Sequence, residues 1–284
     1  MLLTIDIGNT QTVLGLFDGD QLRDTWRLAS DPKRTTDELK AAVTQLFHEA
    51  TKKHPQALAI DKVIIASVVP ALTHTWSDLA NNLAADPSYL TPNCQQLIVD
   101  GAITAQLSAG LANPAEVGAD RIANAVAVRH FYGAPAIVID FGTATNIDII
   151  DTQGNYIGGI ISPGIQTSAN ALFESAARLP HVDLEVPPQV LGTTTKTAVQ
   201  SGLLHGEAAK ITALIDSLMG EQPVLQHPDT PIVATGGLAS LIAPLIKQLT
   251  AQDEHLTLKG LQLIAAQQFD QGQSQPPQTG KAPA

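Results

Sequence analysis

Several things are scarce in this chain, and each absence excludes something. Among 284 residues there is a single cysteine, Cys94, which rules out an intrachain disulfide and any zinc site built from several thiolates. Aromatic residues make up only 4%, so the core must be mainly aliphatic. Basic residues are few: 16 Lys and Arg stand against 27 Asp and Glu, a formal net charge of −11. Such a surface does not neutralise phosphates along a strand or an anionic bilayer, so neither nucleic acid nor membrane is expected as a partner. A small anionic substrate in a locally positive pocket remains compatible with it. No basic segment followed by a signal-type apolar core opens the sequence, and runs such as Val63 to Val69 are too short to span a bilayer. A cytoplasmic location is the expectation.

What the chain does contain is a repeated acid-glycine turn. Asp6-Ile7-Gly8-Asn9-Thr10 follows an apolar strand, and Asp140-Phe141-Gly142-Thr143-Ala144 follows another, 134 positions later. Backbone N–H groups around such turns form a concavity suited to phosphate oxygens. The aspartates would repel phosphate by themselves, so there they make sense as partners of a bridging cation. The alternative is that each acid merely ends a strand and begins a turn. Two copies in matching surroundings favour phosphate and cation handling, with Asn9, Thr10 and Thr143 as candidate contacts.

The order of elements repeats as well. Leu2 to Ile7, Val13 to Phe17 and Gln21 to Leu28 read as strands. Thr35 to Glu38 reads as a capping box before a helix carrying Leu39, Val43, Leu46, Phe47 and Ala50 on one face. A strand over Lys62 to Val69, a helix over Ala71 to Leu83 and a strand over Leu97 to Val99 complete the first half. The second half reads as strands over 136–140, 146–151 and 155–161, helices over 165–178 and 197–219, a strand over 232–235 and a helix over 238–249. This is an α/β protein with duplicated halves, 1–112 and 113–270. The low-complexity stretch 271–284 is expected to be a disordered tail.

Several familiar motifs are missing. There is no G-x-x-x-x-G-K-[ST] loop and no G-x-G-x-x-G after the first strand, and Asp140-Phe141-Gly142 lacks the H-R-D loop of protein kinases. The eight histidines show no zinc-ligand spacing. Gly118-Ala119-Asp120-Arg121 places an acid and a base side by side at a helix start. Asp120 reads either as an acid stabilised by the helix dipole or as acceptor of a substrate hydroxyl proton. Arg121 reads either as solvated or as binder of an anionic group. Gly158-Gly159, Ser162-Pro163-Gly164, Gly236-Gly237 and Thr193-Thr194-Thr195 read as tight turns and caps or as ligand walls.

Taken together and in order, these motifs resemble the type III pantothenate kinases, from Met1 to about Phe269. The resemblance rests on Asp6 to Thr10, Gly118 to Arg121, Asp140 to Thr145, Gly158 to Gly164, and Thr195 through Gln200-Ser201-Gly202. It implies the actin/hexokinase/Hsp70-like fold, two ribonuclease-H-like domains with ATP between them, and phosphorylation of pantothenate to 4′-phosphopantothenate, the first step toward coenzyme A. It also implies an ATP-phosphate loop of Asp6, Ile7, Gly8, Asn9, Thr10, Gln11, Thr12 and Val13, with Thr143 as a further ATP contact. Gly118, Ala119, Asp120, Arg121 and Thr195 would bind pantothenate, with Asp120 as proton acceptor. Asp140 would bind a monovalent cation, K+ or NH4+, Mg2+ would accompany ATP, and the protein would be a homodimer. One position departs from the pattern: Leu111 stands where many members have a tyrosine that helps wall the pantothenate pocket. Rival readings are a kinase of the same fold acting on a sugar or carboxylate, and a protein that binds ATP or pantothenate without turnover.

Overall fold

The computed structural model describes residues 1–53, 59–84, 89–107, 111, 113, 116–176 and 178–273. Its first half contains β1 (Leu2–Ile7), β2 (Gln11–Asp18), β3 (Gln21–Ala29), α1 (Thr36–Lys53), β4 (Ile60–Ser67), α2 (Pro70–Ala84), β5 (Leu90–Ile98) and α3 (Gly101–Leu107). After α4 (Ala119–Phe131) come β6 (Ala136–Phe141), β7 (Ala144–Ile150), β8 (Tyr156–Pro163), α5 (Ile165–Ser175), α6 (Thr195–Glu221), β9 (Ile232–Thr235), α7 (Ala239–Ile242), β10 (Ala251–Gln252) and α8 (Leu256–Gln273).

The duplication holds strand for strand. One five-stranded sheet runs β3-β2-β1-β4-β5, and the other runs β8-β7-β6-β9-β10. In each, two antiparallel strands lie in succession on one side of a central strand whose other neighbour is parallel. Asp6 and Asp140 therefore occupy equivalent places near the ends of the two central strands.

Strand alternation distributes the core. Val63 and Ile65 of β4, with Leu3, Ile5 and Ile7 of β1, pack against α1 and α2. Their neighbours Ile64 and Ala66 face the other way, into a cluster with α4, α8 and residues of the second sheet. Burial on both faces is why β4 reads as one continuous apolar run. The helices α4 and α8 thus lie between the sheets, and they approach so closely that a Cβ on Gly260 would overlap the Ala123 carbonyl. Ile137, Ile139 and Phe141 of β6 pack instead against α6 and α7.

Some boundaries differ from the sequence reading. The expected helix over 238–249 is only α7, followed by a 3-10 turn over Ala243–Leu245, because Pro244 has no N–H to continue the ladder. The short α3 and β10 and the long α8 are elements that the sequence reading lacks. Residues of α8 contact α4 on one side and β1, β2 and β4 on the other, so its apolar positions do not form a single stripe. The expected tail begins inside this helix, at 271–273, and 274–284 lie outside the described residues. Leu111 packs against the shared cluster around α4. No helix of the described residues is long and apolar enough to cross a membrane.

Candidate active site

The two acid-glycine turns are each closed by the N–H of their own glycine, the second turn one residue shorter than the first, and they meet. Gly8 N–H donates to the Gln11 carbonyl at 3.0 Å, and Gly142 N–H donates to the Ala144 carbonyl at 3.0 Å. The hydroxyls of Thr10 and Thr143 lie 2.8 Å apart, joining one half to the other. Asn9, Thr10 and Gln11 are exposed, whereas Ile7 is wholly buried in the core, so only its backbone can serve a ligand. Thr12 is likewise buried, and its hydroxyl pairs with that of Ser30 at 2.9 Å. The Thr143 carbonyl accepts from Gly164 N–H at 3.0 Å and from the Thr167 hydroxyl at 2.7 Å, which ties the second turn to the start of α5.

Four carboxylates gather near these turns and disturb one another. Burial raises Asp6 well above the ordinary carboxylate range, and Asp120 and Asp140 raise it further. Burial, then Asp120 and Asp148, push Asp140 up to about 7, while a hydrogen bond from Asn124 opposes the rise. Burial pushes Asp148 up to about 6 against the pull of Arg121. Asp120 is raised by burial and held back first by the Arg121 backbone N–H, which donates to its Oδ1 at 2.8 Å. Acids that raise each other in this way gain from a cation among them.

Helix α4 supplies much of the site. Asp120 and Arg121 stand in its first turn, and Asn124 follows one turn later on the face of Asp120. The Asn124 side chain is fully buried; its amide donates to Asp140 Oδ2 at 3.3 Å, and its oxygen accepts from the Thr257 hydroxyl of α8 at 2.8 Å. Asp140 also faces Gly236, whose φ of +92° is in the glycine region and whose missing side chain leaves room for Asp140 Oδ1. A cation bound there would have the Asp140 carboxylate as one ligand. Among the described residues no group of three His, Cys, Asp or Glu could hold a metal ion alone, so its other ligands would be phosphate, carbonyl or water oxygens.

Arg121 is not solvated. Its side chain is 13% exposed, its Nε donates to Asp148 Oδ1 at 2.7 Å, and a second guanidinium nitrogen lies 2.6 Å from the same oxygen. The guanidinium also sits 5.4 Å from the centre of the Tyr156 ring. Gly159, paired with Asp148 across β7 and β8, makes this possible: a Cβ there would overlap Arg121 and the Ile147 carbonyl.

Thr195 begins α6 behind the capping box of Thr194 and Thr197. It lines a cavity of about 660 Å³ between α5 and α6, together with Ser168, Thr193 and Gly202. The four acids do not line that cavity; its link to the second acid-glycine turn runs through Thr167, the neighbour of Ser168, bonded to the Thr143 carbonyl. Further along α6, the buried Glu207 accepts from the Thr145 hydroxyl at 2.7 Å and pairs with Lys210 at 2.6 Å, and Lys210 donates to Ser162 at 3.0 Å. Asp148, Asn124, Thr257 and Glu207 are site residues that sequence reasoning misses. Asp148 leaves a readable trace, an acid inside the apolar run Ile147 to Ile150. Asn124 leaves only its four-residue spacing from Asp120.

A family model described as type III pantothenate kinase matches residues 2–217. A type III pantothenate kinase of Thermomicrobium roseum is 45% identical over 262 residues, 92% of this chain and 95% of that one. One of Paramagnetospirillum magneticum is 44% identical over 262 residues, covering 92% and 95%. Among solved structures, a protein described as a conserved Baf family transcriptional activator from Campylobacter jejuni superposes with a TM-score of 0.54 at 21% identity, covering 94% of this chain and 99% of that one. A protein assigned as an N-acetylmannosamine kinase from Listeria monocytogenes gives 0.50 at 13% identity, covering 94% and 99%. At such identities the structural likenesses speak to the fold alone.

Proposed function

The chain belongs to the type III pantothenate kinase family, and from that premise we propose how its residues carry out the ATP-dependent phosphorylation of pantothenate to 4′-phosphopantothenate in coenzyme A synthesis. Asp120 takes the proton of the primary hydroxyl. The freed oxygen attacks the γ-phosphorus, the bond from that phosphorus to the bridging oxygen breaks, and ADP leaves. The observation that carries this reading is the position of Asp120 within electrostatic reach of both Asp6 and Asp140, the acids at the ends of the two turn-bearing strands. A carboxylate whose burial raises its proton affinity is suited to that task.

The turn of Asp6 to Val13 and the hydroxyl of Thr143 hold the ATP phosphates, which arrive with Mg2+. Asp140 would hold K+ or NH4+, which would supply charge to offset that building on the transferred group. Gly118 to Arg121 and Thr195 bind pantothenate, with Asp148 fixing the Arg121 guanidinium in place. Residues 1–112 and 113–270 form the two lobes, with α8 returning to pack on the first. A second copy of the chain covers the three most exposed large apolar side chains among the described residues, Ile161 at 65%, Val190 at 69% and Leu191 at 79% exposure. The reaction runs in the cytoplasm.

The deciding experiment is a coupled assay of ADP release with pantothenate and, separately, with a panel of sugars, in K+ and in Na+. Turnover with pantothenate and activation by K+ are expected. Turnover with a sugar and none with pantothenate would overturn the substrate, and equal rates in both salts would overturn the role of Asp140.

A further inference from the structure

We propose that Arg27 is a further nucleotide-binding residue of the cleft, one that contacts the polyphosphate, and that Glu254 is the exchangeable partner it gives up to do so. The inference rests on the kinase reading and deepens it.

Strand register places the residue. Asp6 pairs with Val13 across β1 and β2, and Val13 pairs with Arg27 across β2 and β3. Residues in one rung of a sheet project to the same face, so Arg27 shares the face of Asp6, two strands away. The neighbouring residues Trp26 and Leu28 point the other way and pack on the α1–α2 core. The face of Arg27 is therefore the one turned toward the second half. Its guanidinium spans the gap: one nitrogen donates to Glu254 Oε1 at 3.0 Å, and another lies 3.7 Å from where a Cβ on Gly237 would be. Gly237 follows β9, immediately beyond the glycine that faces Asp140.

Charge supplies the reason. Among the described residues, Arg121 is the cation that acts on Asp120, Asp140 and Asp148, whereas Asp6 feels Arg27 instead, which shares its face across the sheet. Arg121 is already committed to the buried Asp148. Arg27 is not committed in that way, because its side chain is 37% exposed and that of Glu254 is 59% exposed. Exposed pairs of this kind hold weakly, whereas a planar guanidinium binds phosphate oxygens with two matched donors. Val13, the residue between Asp6 and Arg27 in the rung, offers a phosphate no side-chain donor, so Arg27 is the nearest side-chain cation on that line. The competing reading is that Arg27 and Glu254 only latch the two halves together.

Calorimetric titration with ATP, ADP and adenosine separates the readings. Arg27→Ala is expected to weaken ATP and ADP about tenfold or more and adenosine less than about twofold, with the KM for pantothenate little changed. Glu254→Gln is expected to bind ATP at least as tightly as the unaltered enzyme. Equal weakening by the two variants would leave only a latch, and unchanged ATP binding in Arg27→Ala, or an equal loss for adenosine, would also overturn the proposal. Arg27→Gln, which keeps the stem, serves for the same comparison if the truncation impairs folding. Absence of pantothenate turnover in the unaltered enzyme would instead count against the kinase reading, which these titrations do not touch.

Discussion

The hydroxyl of Thr10 lies 2.8 Å from that of Thr143, so the two acid-glycine turns, 133 residues apart in sequence, touch through a single hydrogen bond. Both side chains are exposed, and a neutral exposed bond of this kind contributes less than about 1 kcal/mol. Thr143→Val should therefore shift the melting temperature little. If the hydroxyl serves ATP, the same variant should raise the KM for ATP by roughly tenfold, the loss of a hydrogen bond in a confined site. Steady-state kinetics alongside a thermal melt checks both halves.

Asp120→Asn keeps the shape of the helix start and removes the proton acceptor. Turnover should fall on the order of 100-fold or more, with much smaller changes in either KM. Near-normal turnover would remove Asp120 from the proton transfer.

Asp140 makes stability depend on pH in a definite direction. An unfolded aspartate titrates near 3.9, whereas burial places Asp140 at about 7 in the folded protein. Between those values the folded state holds the proton and the unfolded state has lost it, so stability falls as pH rises through the window. Asp148, raised to about 6, adds in the same sense over a shorter range. The melting temperature should be higher at about pH 5.5 than at about pH 7.5, and Asp140→Asn should reduce that difference. Bound K+ should reduce it too, since a cation favours the carboxylate.

Gly159→Ala should strike one side of the site selectively. The new Cβ meets the Ile147 carbonyl and the Arg121 guanidinium, and relieving such an overlap costs about 1–3 kcal/mol. With Arg121 displaced, the KM for pantothenate should rise more than that for ATP. A variant that melts lower but keeps both KM values would separate Arg121 from substrate binding.

The assembly has its own test. Ile161→Glu or Leu191→Glu places a charge on side chains that are 65% and 79% exposed. In a monomer such changes cost little, within about 0.5 kcal/mol. In a dimer that buries them, sedimentation velocity should show dissociation. An unchanged sedimentation coefficient would move the interface elsewhere.

Much of this is legible in the chain because it is local. A strand, an acid, a glycine and a hydroxyl within five residues announce a phosphate turn, and finding the pattern twice points to a duplicated α/β fold. Asp6, Asp140 and Thr143 can be picked out this way, and local spacing also marks Asp120 at a helix start and the capping box at Thr35, where Glu38 accepts from the Thr35 N–H at 2.9 Å. The turns, the repeat and three of the four acids are thus written in the order of residues alone. What those acids face is set by the packing of distant segments. That Arg121 is spent on Asp148, that Asn124 carries Asp140 on one side and Thr257 on the other, and that Arg27 lies in one rung with Asp6 depend on strand register and on α4 and α8 packing between two sheets. The pKa shifts depend on the same packing, since it brings carboxyls far apart in the chain into one poorly hydrated space where each raises the proton affinity of the next. No spacing along the chain encodes that distance.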